Sequence, residues 1–210
     1  MKRTALLGGS FNPAHTGHRR ISLFAVKALD LDEIWWLVSP GNPLKEGAID
    51  MASSLDRVKS ARVQARRSII KPTAIEQELR TRFTVDTLTA LVRRYPRRRF
   101  IWLMGADNLA QFHRWRDWRR IARIMPIAVI ARPGYEGASR ASRAVGALRK
   151  FVRPQRLITH WTQWRPPALV LLRLPPDTSS ATAIRRANPD WHLSFTPTPV
   201  RDAVSRRMIY

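Results

Sequence analysis

Apolar positions along the chain follow two alternating periods. Unbroken apolar runs at Thr4 to Gly8, Ile34 to Val38, Phe100 to Met104, Ile127 to Ala131 and Leu169 to Leu174 have strand length and read as buried parallel strands. Between the first two, Ile21, Phe24, Ala25, Ala28 and Leu29 fall at i, i+3, i+4, i+7 and i+8, one face of a helix packed on a sheet. Ser53 or Ser54 followed by Asp56 predicts a helix start, with the helix running to about Ile69, and Thr84 to Tyr95 predicts another, closed by Pro96. A weaker strand is expected over Thr73 to Glu78. Strand and helix in alternation specify an α/β chain, a doubly wound, Rossmann-like, mostly parallel sheet with helices on both faces. The rhythm breaks between about 134 and 167, where small residues and arginines precede His160, Trp161, Trp164 and two prolines. That span is read as a surface helix and an irregular excursion, with Trp161 and Trp164 as candidates for a homo-oligomer contact. Trp35, Trp36 and Trp102, inside predicted strands, are read as core.

Length and composition narrow this picture. A chain of 210 residues with 44% hydrophobic content is expected to form a single domain over 1–210. Ala5-Leu6-Leu7 is too short for a signal-peptide core and no run approaches the ~18 apolar residues of a membrane span, so a cytoplasmic protein without a membrane partner is expected. The absence of cysteine excludes disulfides, thiolate metal sites and cysteine nucleophiles, and leaves oxygen, imidazole or substrate to hold any metal. The net charge of +23 calls for an anionic partner. It is carried by 32 arginines and 6 lysines spread over the whole chain, densest at Arg97-Arg98-Arg99 and from Arg114 to Arg123. So even a distribution argues against specific nucleic-acid recognition; any binding to duplexes is expected to be sequence-independent and salt-sensitive.

The candidate chemistry begins where the first strand ends, at Gly8-Gly9-Ser10-Phe11-Asn12-Pro13-Ala14-His15-Thr16-Gly17-His18. In a doubly wound sheet ligands bind beyond the carboxyl ends of the strands, and the first strand-to-helix turn is the favoured phosphate site. Gly8 and Gly9 are expected to let the backbone approach a ligand, while the helix start offers unpaired N–H groups and the positive end of its dipole. His15 and His18, three apart, share a face of the first turn and are suited to donate to phosphoryl oxygens; the alternative is that one caps the helix and the other faces water. Neither GxGxxG nor GxxxxGK[ST] occurs at the turn, which excludes the dinucleotide fingerprint and the Walker loop.

The stretch GGSFNPAHTGH resembles the nucleotidyltransferase motif GG[ST]F[DN]PxHxGH, whose HxGH core is shared with class I aminoacyl-tRNA synthetases; the chain has neither the length nor the KMSKS sequence of a synthetase. Later segments, in order, are similar to the bacterial nicotinate-nucleotide adenylyltransferases. They are Ser39 to Lys45 after the second strand, Arg82 to Leu88, Met104 to Leu109 with Phe112 and Trp115, Ala131 to Tyr135, and Ser179 to Arg185, with Met208-Ile209-Tyr210 like the family's GLY ending. The chain departs from the pattern at Leu44, where a histidine is usual, at Arg82-Phe83 in place of Ser-Tyr, and at Met208 in place of glycine. A phosphopantetheine adenylyltransferase would share the first motif only, and a basic RNA-binding protein would explain the charge alone.

The resemblance implies transfer of the adenylyl group of ATP to nicotinate mononucleotide with release of pyrophosphate, Mg²⁺ being carried by the ATP phosphates with no metal ligand from the protein. It implies ATP contacts at Gly8, Gly9, Ser10, Phe11, His15, His18, Ser180, Thr182 and Arg185, of which His15, His18 and Arg185 would be catalytic. Lys45 and Arg132 would neutralise the mononucleotide phosphate and Asp107 would bind a ribose hydroxyl. Trp115 would stack on the pyridine ring, and Thr84 with backbone N–H groups near Trp115 and Arg116 would receive its carboxylate. Each has a plainer alternative: Ser180 and Thr182 as helix caps, Asp107 as the cap of a helix beginning at Asn108, Trp115 as an apolar anchor, and Lys45 and Arg132 as solvated charges.

Overall fold

The computed structural model describes residues 1–40, 51–131, 143–174 and 180–210. Six strands form one sheet: β1 (Lys2–Gly9), β2 (Glu33–Val38), β3 (Ile70–Thr73), β4 (Arg98–Gly105), β5 (Ile127–Ala131) and β6 (Leu169–Arg173). Their order is β3-β2-β1-β4-β5-β6 and every pairing is parallel, the arrangement of a doubly wound sheet. Successive strand residues point to opposite faces, so each strand feeds two cores. One face carries Ala5, Leu7, Trp36 and Leu103 and is covered by α1 (Thr16–Leu29) and α2 (Ser54–Ala65). The other carries Leu6, Trp35, Trp102 and Met104 under α3 (Ile75–Leu79), α4 (Thr84–Arg94), α5 (Ala106–Gln111), α6 (Trp118–Ile124) and α7 (Arg143–Leu148). Helix α8 (Ala181–Ala187) and a hairpin of β7 (Val200–Arg201) and β8 (Met208–Ile209) complete the chain. Asp202 clamps this hairpin to the sheet, accepting from Thr73 Oγ1 at 2.8 Å and from the Ala74 N–H at 2.7 Å.

Three expectations are corrected. The strand expected at Thr73 to Glu78 lies earlier, over Ile70–Thr73, and Ile75–Leu79 is helical. Pro72 is tolerated because β3 is an edge strand, paired only with β2. Helix α2 stops at Ala65, short of Ile69, and Ser53 is its cap, accepting from the Asp56 N–H at 3.1 Å. Trp161, considered for an oligomer contact, is 1% exposed. It lies in the 3₁₀ helix Gln155–Gln163, donates from Nε1 to the Leu29 carbonyl at 2.8 Å, and belongs to the first core with Trp164 packed beside it.

Candidate active site at the carboxyl edge of the sheet

The sheet opens where its winding reverses. β1 stays paired with β2 as far as Gly9 and Val38, and the Ser39 N–H continues the ladder to the Gly9 carbonyl at 3.0 Å. Pairing of β1 with β4 ends earlier, at Leu7 and Leu103, while Gly105 at the end of β4 pairs with Ile130 of β5. The turn after β1 and the turn after β4 therefore flank the crevice at which doubly wound sheets bind ligands.

The two glycines are also crowded by the protein itself. A Cβ on Gly8 would come within 2.6 Å of the Trp102 ring, and one on Gly9 within 3.2 Å of the Phe11 ring, so both positions make room for the protein's own aromatics. Phe11 turns the chain with φ of 48°, a left-handed conformation that bulky residues rarely adopt. Its ring is buried against Trp36 at 5.0 Å and His18 at 4.8 Å. The turn is then held from two sides. Just before α2, the Ala52 N–H donates to Asn12 Oδ1 at 3.2 Å, and within α2 Ser60 Oγ accepts from the Ala14 N–H at 3.0 Å. From α8, Arg185 Nη1 donates to the Asn12 carbonyl at 2.7 Å.

His15 and His18 meet at the start of α1, their ring centroids 3.9 Å apart. His15 is the N-cap, and its backbone N–H donates to His18 Nδ1 at 3.2 Å, as in a capping box. A ring nitrogen that accepts carries no proton, so neutral His18 holds its proton on Nε2 and is a donor there. The capping alternative holds for His15, while His18 is half-buried and does not simply face water. Beyond them lies a cleft of about 400 Å³ lined by Met51, Ala52, Thr182, Arg185, Arg186, Pro189 and His192. Ser180 caps α8, accepting from the Ala183 N–H at 3.5 Å, and Thr182 stands inside the first turn of that helix, not ahead of it.

The second half of the site is built on the other face. Helix α5 starts at Ala106 directly after β4, with Gly105 as N-cap and Asp107 in the first turn, so Asp107 does not cap a helix beginning at Asn108. A Cβ on Gly105 would meet Asp107 Oδ1 at 2.3 Å, so a larger residue there would have to turn the Asp107 carboxylate aside. Trp115 is half-buried, edge-on to Phe112 at 5.5 Å and to Trp102 at 6.3 Å. Through Trp102, which also fills the space beside Gly8, the two halves share one wall. Thr84 is the first residue of α4, and the guanidinium of Arg116 lies 4.5 Å from the ring of its neighbour Phe83. The Trp115 N–H is occupied, donating to the Phe112 carbonyl at 3.0 Å; of the backbone donors expected here, Arg116 N–H remains without a described acceptor. Lys45 and Arg132, with Leu44 and Ser179, lie outside the described residues.

Two buried charges escaped the sequence reading. Glu76 is 8% exposed and accepts from Thr87 Oγ1 at 3.0 Å; Thr87 in turn meets Thr81 Oγ1 at 2.8 Å, bracing the turn that delivers Thr84. Burial pushes the Glu76 carboxyl up to about 7, against the opposing effect of the Thr87 hydrogen bond. Arg57 is 1% exposed and its guanidinium contacts backbone carbonyls from three segments. Arg57 stands at i, i+4 and i+8 with the buried Ala61 and Ala65 of α2, and a cation in line with small apolar positions was the available signal. Among the described residues no group of three or more His, Asp or Glu side chains is placed to hold a metal ion, and no helix is long and apolar enough to cross a membrane.

The model of the family described as cytidylyltransferase-like matches residues 6–187. A relative in Erythrobacter litoralis (strain HTCC2594), named "Probable nicotinate-nucleotide adenylyltransferase", is 60% identical over 208 residues, covering 99% of this chain and 94% of its own length. One of the same name in Bradyrhizobium sp. (strain BTAi1 / ATCC BAA-1182) is 43% identical, covering 90% of this chain and 98% of its own. Among solved structures, the Plasmodium falciparum nicotinic acid mononucleotide adenylyltransferase complexed with APC superposes with a TM-score of 0.62 at 16% identity, over 89% of this chain and 83% of that one. At that identity it is the fold that is shared.

Proposed function

We infer the reaction from family and site together: the chain belongs to the cytidylyltransferase-like family and, within it, to the nicotinate-nucleotide adenylyltransferases. It transfers the adenylyl group of ATP to nicotinate mononucleotide, giving nicotinate adenine dinucleotide and pyrophosphate. The observation that carries the assignment of roles is the joined pair His15 and His18 at the start of α1, at the winding reversal, with Arg185 bonded to the same turn.

The 5′-phosphate of the mononucleotide attacks the α-phosphorus of ATP as pyrophosphate departs, so the protein has no bond to make. Its work is to hold two polyanions in line and to meet charge developing on the transferring and leaving oxygens. His18 donates from Nε2 to the transferring phosphoryl group, and His15 fixes the tautomer that makes this possible. Gly8, Gly9, Ser10 and Phe11 form the floor for the nucleotide, the start of α1 adds backbone donors, and Ser180, Thr182 and Arg185 receive the leaving phosphates across the cleft. A divalent ion, Mg²⁺ on this reading, would be carried by the ATP phosphates and would neutralise their charge; the polar lining of the cleft, Thr182, Arg185, Arg186 and His192, has no carboxylate and fits an ion held by the substrate. On the acceptor side, Trp115 offers its indole face to the cationic pyridine ring and Asp107 takes a ribose hydroxyl. Thr84 Oγ1 and the Arg116 N–H receive the carboxylate, and Lys45 and Arg132 hold its phosphate. An amide would turn its NH₂ toward one of these donors and leave it unpaired, a mismatch costing ~1 to 3 kcal/mol.

Pyrophosphate release from ATP, measured with nicotinate mononucleotide, nicotinamide mononucleotide and phosphopantetheine in turn, tests this reading. The nicotinate form is expected to win, with kcat/KM at least about tenfold above the nicotinamide form, the lower part of that mismatch range. Preference for phosphopantetheine would overturn the substrate, and equal use of both mononucleotides would overturn the carboxylate contacts.

A further inference from the structure

We propose that Arg57 is the positioning residue of the phosphate-binding turn, one buried guanidinium that fixes the Ser10–Phe11 peptide and ties it to the exit of β2. Its Nη1 donates to the Ser10 carbonyl at 2.8 Å and to the Ser39 carbonyl at 2.6 Å. Nε donates to the Ala52 carbonyl at 3.0 Å, and Nη2 reaches Ser54 Oγ at 3.1 Å and the Pro40 carbonyl at 3.5 Å. These partners are 3 to 47 positions away in the chain, and no carboxylate is among them.

Three consequences follow from that geometry. The bond to Ser10 orients the peptide that enters Phe11, whose left-handed φ of 48° would otherwise relax; in a trans peptide, holding the carbonyl inward sends the Phe11 N–H the opposite way. The bonds to Ser39 and Pro40 on one side and to Ala52 on the other hold the exit of β2 and the approach to α2 against the same turn. The acceptors are carbonyls and a hydroxyl, and among the described residues no carboxylate pairs with Arg57 at the base of a site for polyanions. A planar fork with five N–H groups can serve acceptors so distributed, whereas a lysine ammonium, with three donors on one atom, cannot.

The inference rests on the nucleotide reading of the site, and its test separates the two. Arg57→Lys keeps the charge and most of the volume and removes the fork. In the folded variant, KM for ATP is expected to rise at least tenfold and kcat to fall per active molecule. Calorimetry should show a nonhydrolysable ATP analogue binding at least tenfold more weakly. A merely structural arginine would lower the melting temperature and the active fraction while leaving KM and the analogue Kd unchanged, and that result overturns the proposal. If the variant does not fold, the wild-type protein decides: the Arg57 Nε–H resonance, assigned through its proximity to Ala52, should exchange slowly with water and shift when the analogue is added. Exchange like that of an exposed arginine, or no response to the analogue, overturns it equally. Wild-type protein that binds the analogue yet adenylates no mononucleotide would sink the reaction and leave Arg57 in place.

Discussion

The two ends of the parallel strands treat buried charge in opposite ways. At the amino end, Glu33 is 2% exposed and surrounded by donors: Trp35 Nε1 at 2.9 Å, Lys71 Nζ at 2.5 Å, Thr4 Oγ1 at 3.3 Å, and Arg98 in direct ion pair. Arg98 also lies over the Trp35 ring at 4.8 Å. Two cations, Arg98 and Lys71, share this one buried carboxylate. At the carboxyl end, the buried cation Arg57 meets carbonyls and a hydroxyl, and the cleft beside it is lined by Arg185 and Arg186. One end closes its electrostatics within the fold, and the other leaves positive charge for a ligand to complete.

The largest effect should come from breaking the closed end. Glu33→Ala leaves Arg98 and Lys71 facing each other without their anion, and loss of one member of a buried pair costs about 3 to 5 kcal/mol. Chemical denaturation should show that loss, with kcat per folded molecule unchanged. A fall in kcat would mean that the two ends are coupled. The open end should respond in the other sense: His18→Ala is expected to lower turnover roughly 10²-fold or more, because a preorganised donor lost from a site of developing charge costs ~3 kcal/mol. Circular dichroism of the same preparation should report an intact fold, and near-normal kcat would remove His18 from the chemistry.

Much of this division was readable in advance, and the unread part has a common cause. Five of the six strands declared themselves because strands buried on both faces need unbroken apolar runs, and the GGSFNPAHTGH turn combined residue types that a bare turn does not require. β3 was misplaced because Pro72 reads as a breaker, and only its position at the edge of the sheet makes it tolerable. Trp161, Arg57 and Glu76 were missed or misjudged for another reason. Their partners lie far away in sequence, Trp161 bonding to Leu29 and Arg57 to Ser10 and Ser39, and local patterns carry no information about such pairs. The glycines were found, but the crowding of Gly8 by Trp102 and of Gly9 by Phe11 comes from residues that local patterns do not bring together.

A smaller effect sharpens the contrast by titration. Glu76 is buried with its carboxyl pushed up from 4.5 to about 7, so the native state holds a proton that the unfolded state releases earlier. Between those two values folding stability should therefore fall as pH rises, and above about 7 it should level off. The full shift corresponds to on the order of 3 kcal/mol and relaxation of the site will reduce it, so about 1 to 3 kcal/mol is expected. Glu76→Gln should flatten this part of the stability profile and make the protein more stable than wild type at pH 8. A profile unchanged by the substitution would show that Glu76 titrates normally.

The central claim is that the open end positions and stabilises, with no covalent bond to the protein along the way. Adenylyl transfer from ATP made chiral at the α-phosphorus by sulfur substitution tests it most directly, the configuration of the thio-dinucleotide product being read by ³¹P magnetic resonance. A single in-line displacement by the mononucleotide phosphate predicts inversion at phosphorus. Retention would require two displacements, and with them an adenylylated side chain, contradicting the assignment of His15, His18 and Arg185 as donors to a direct transfer.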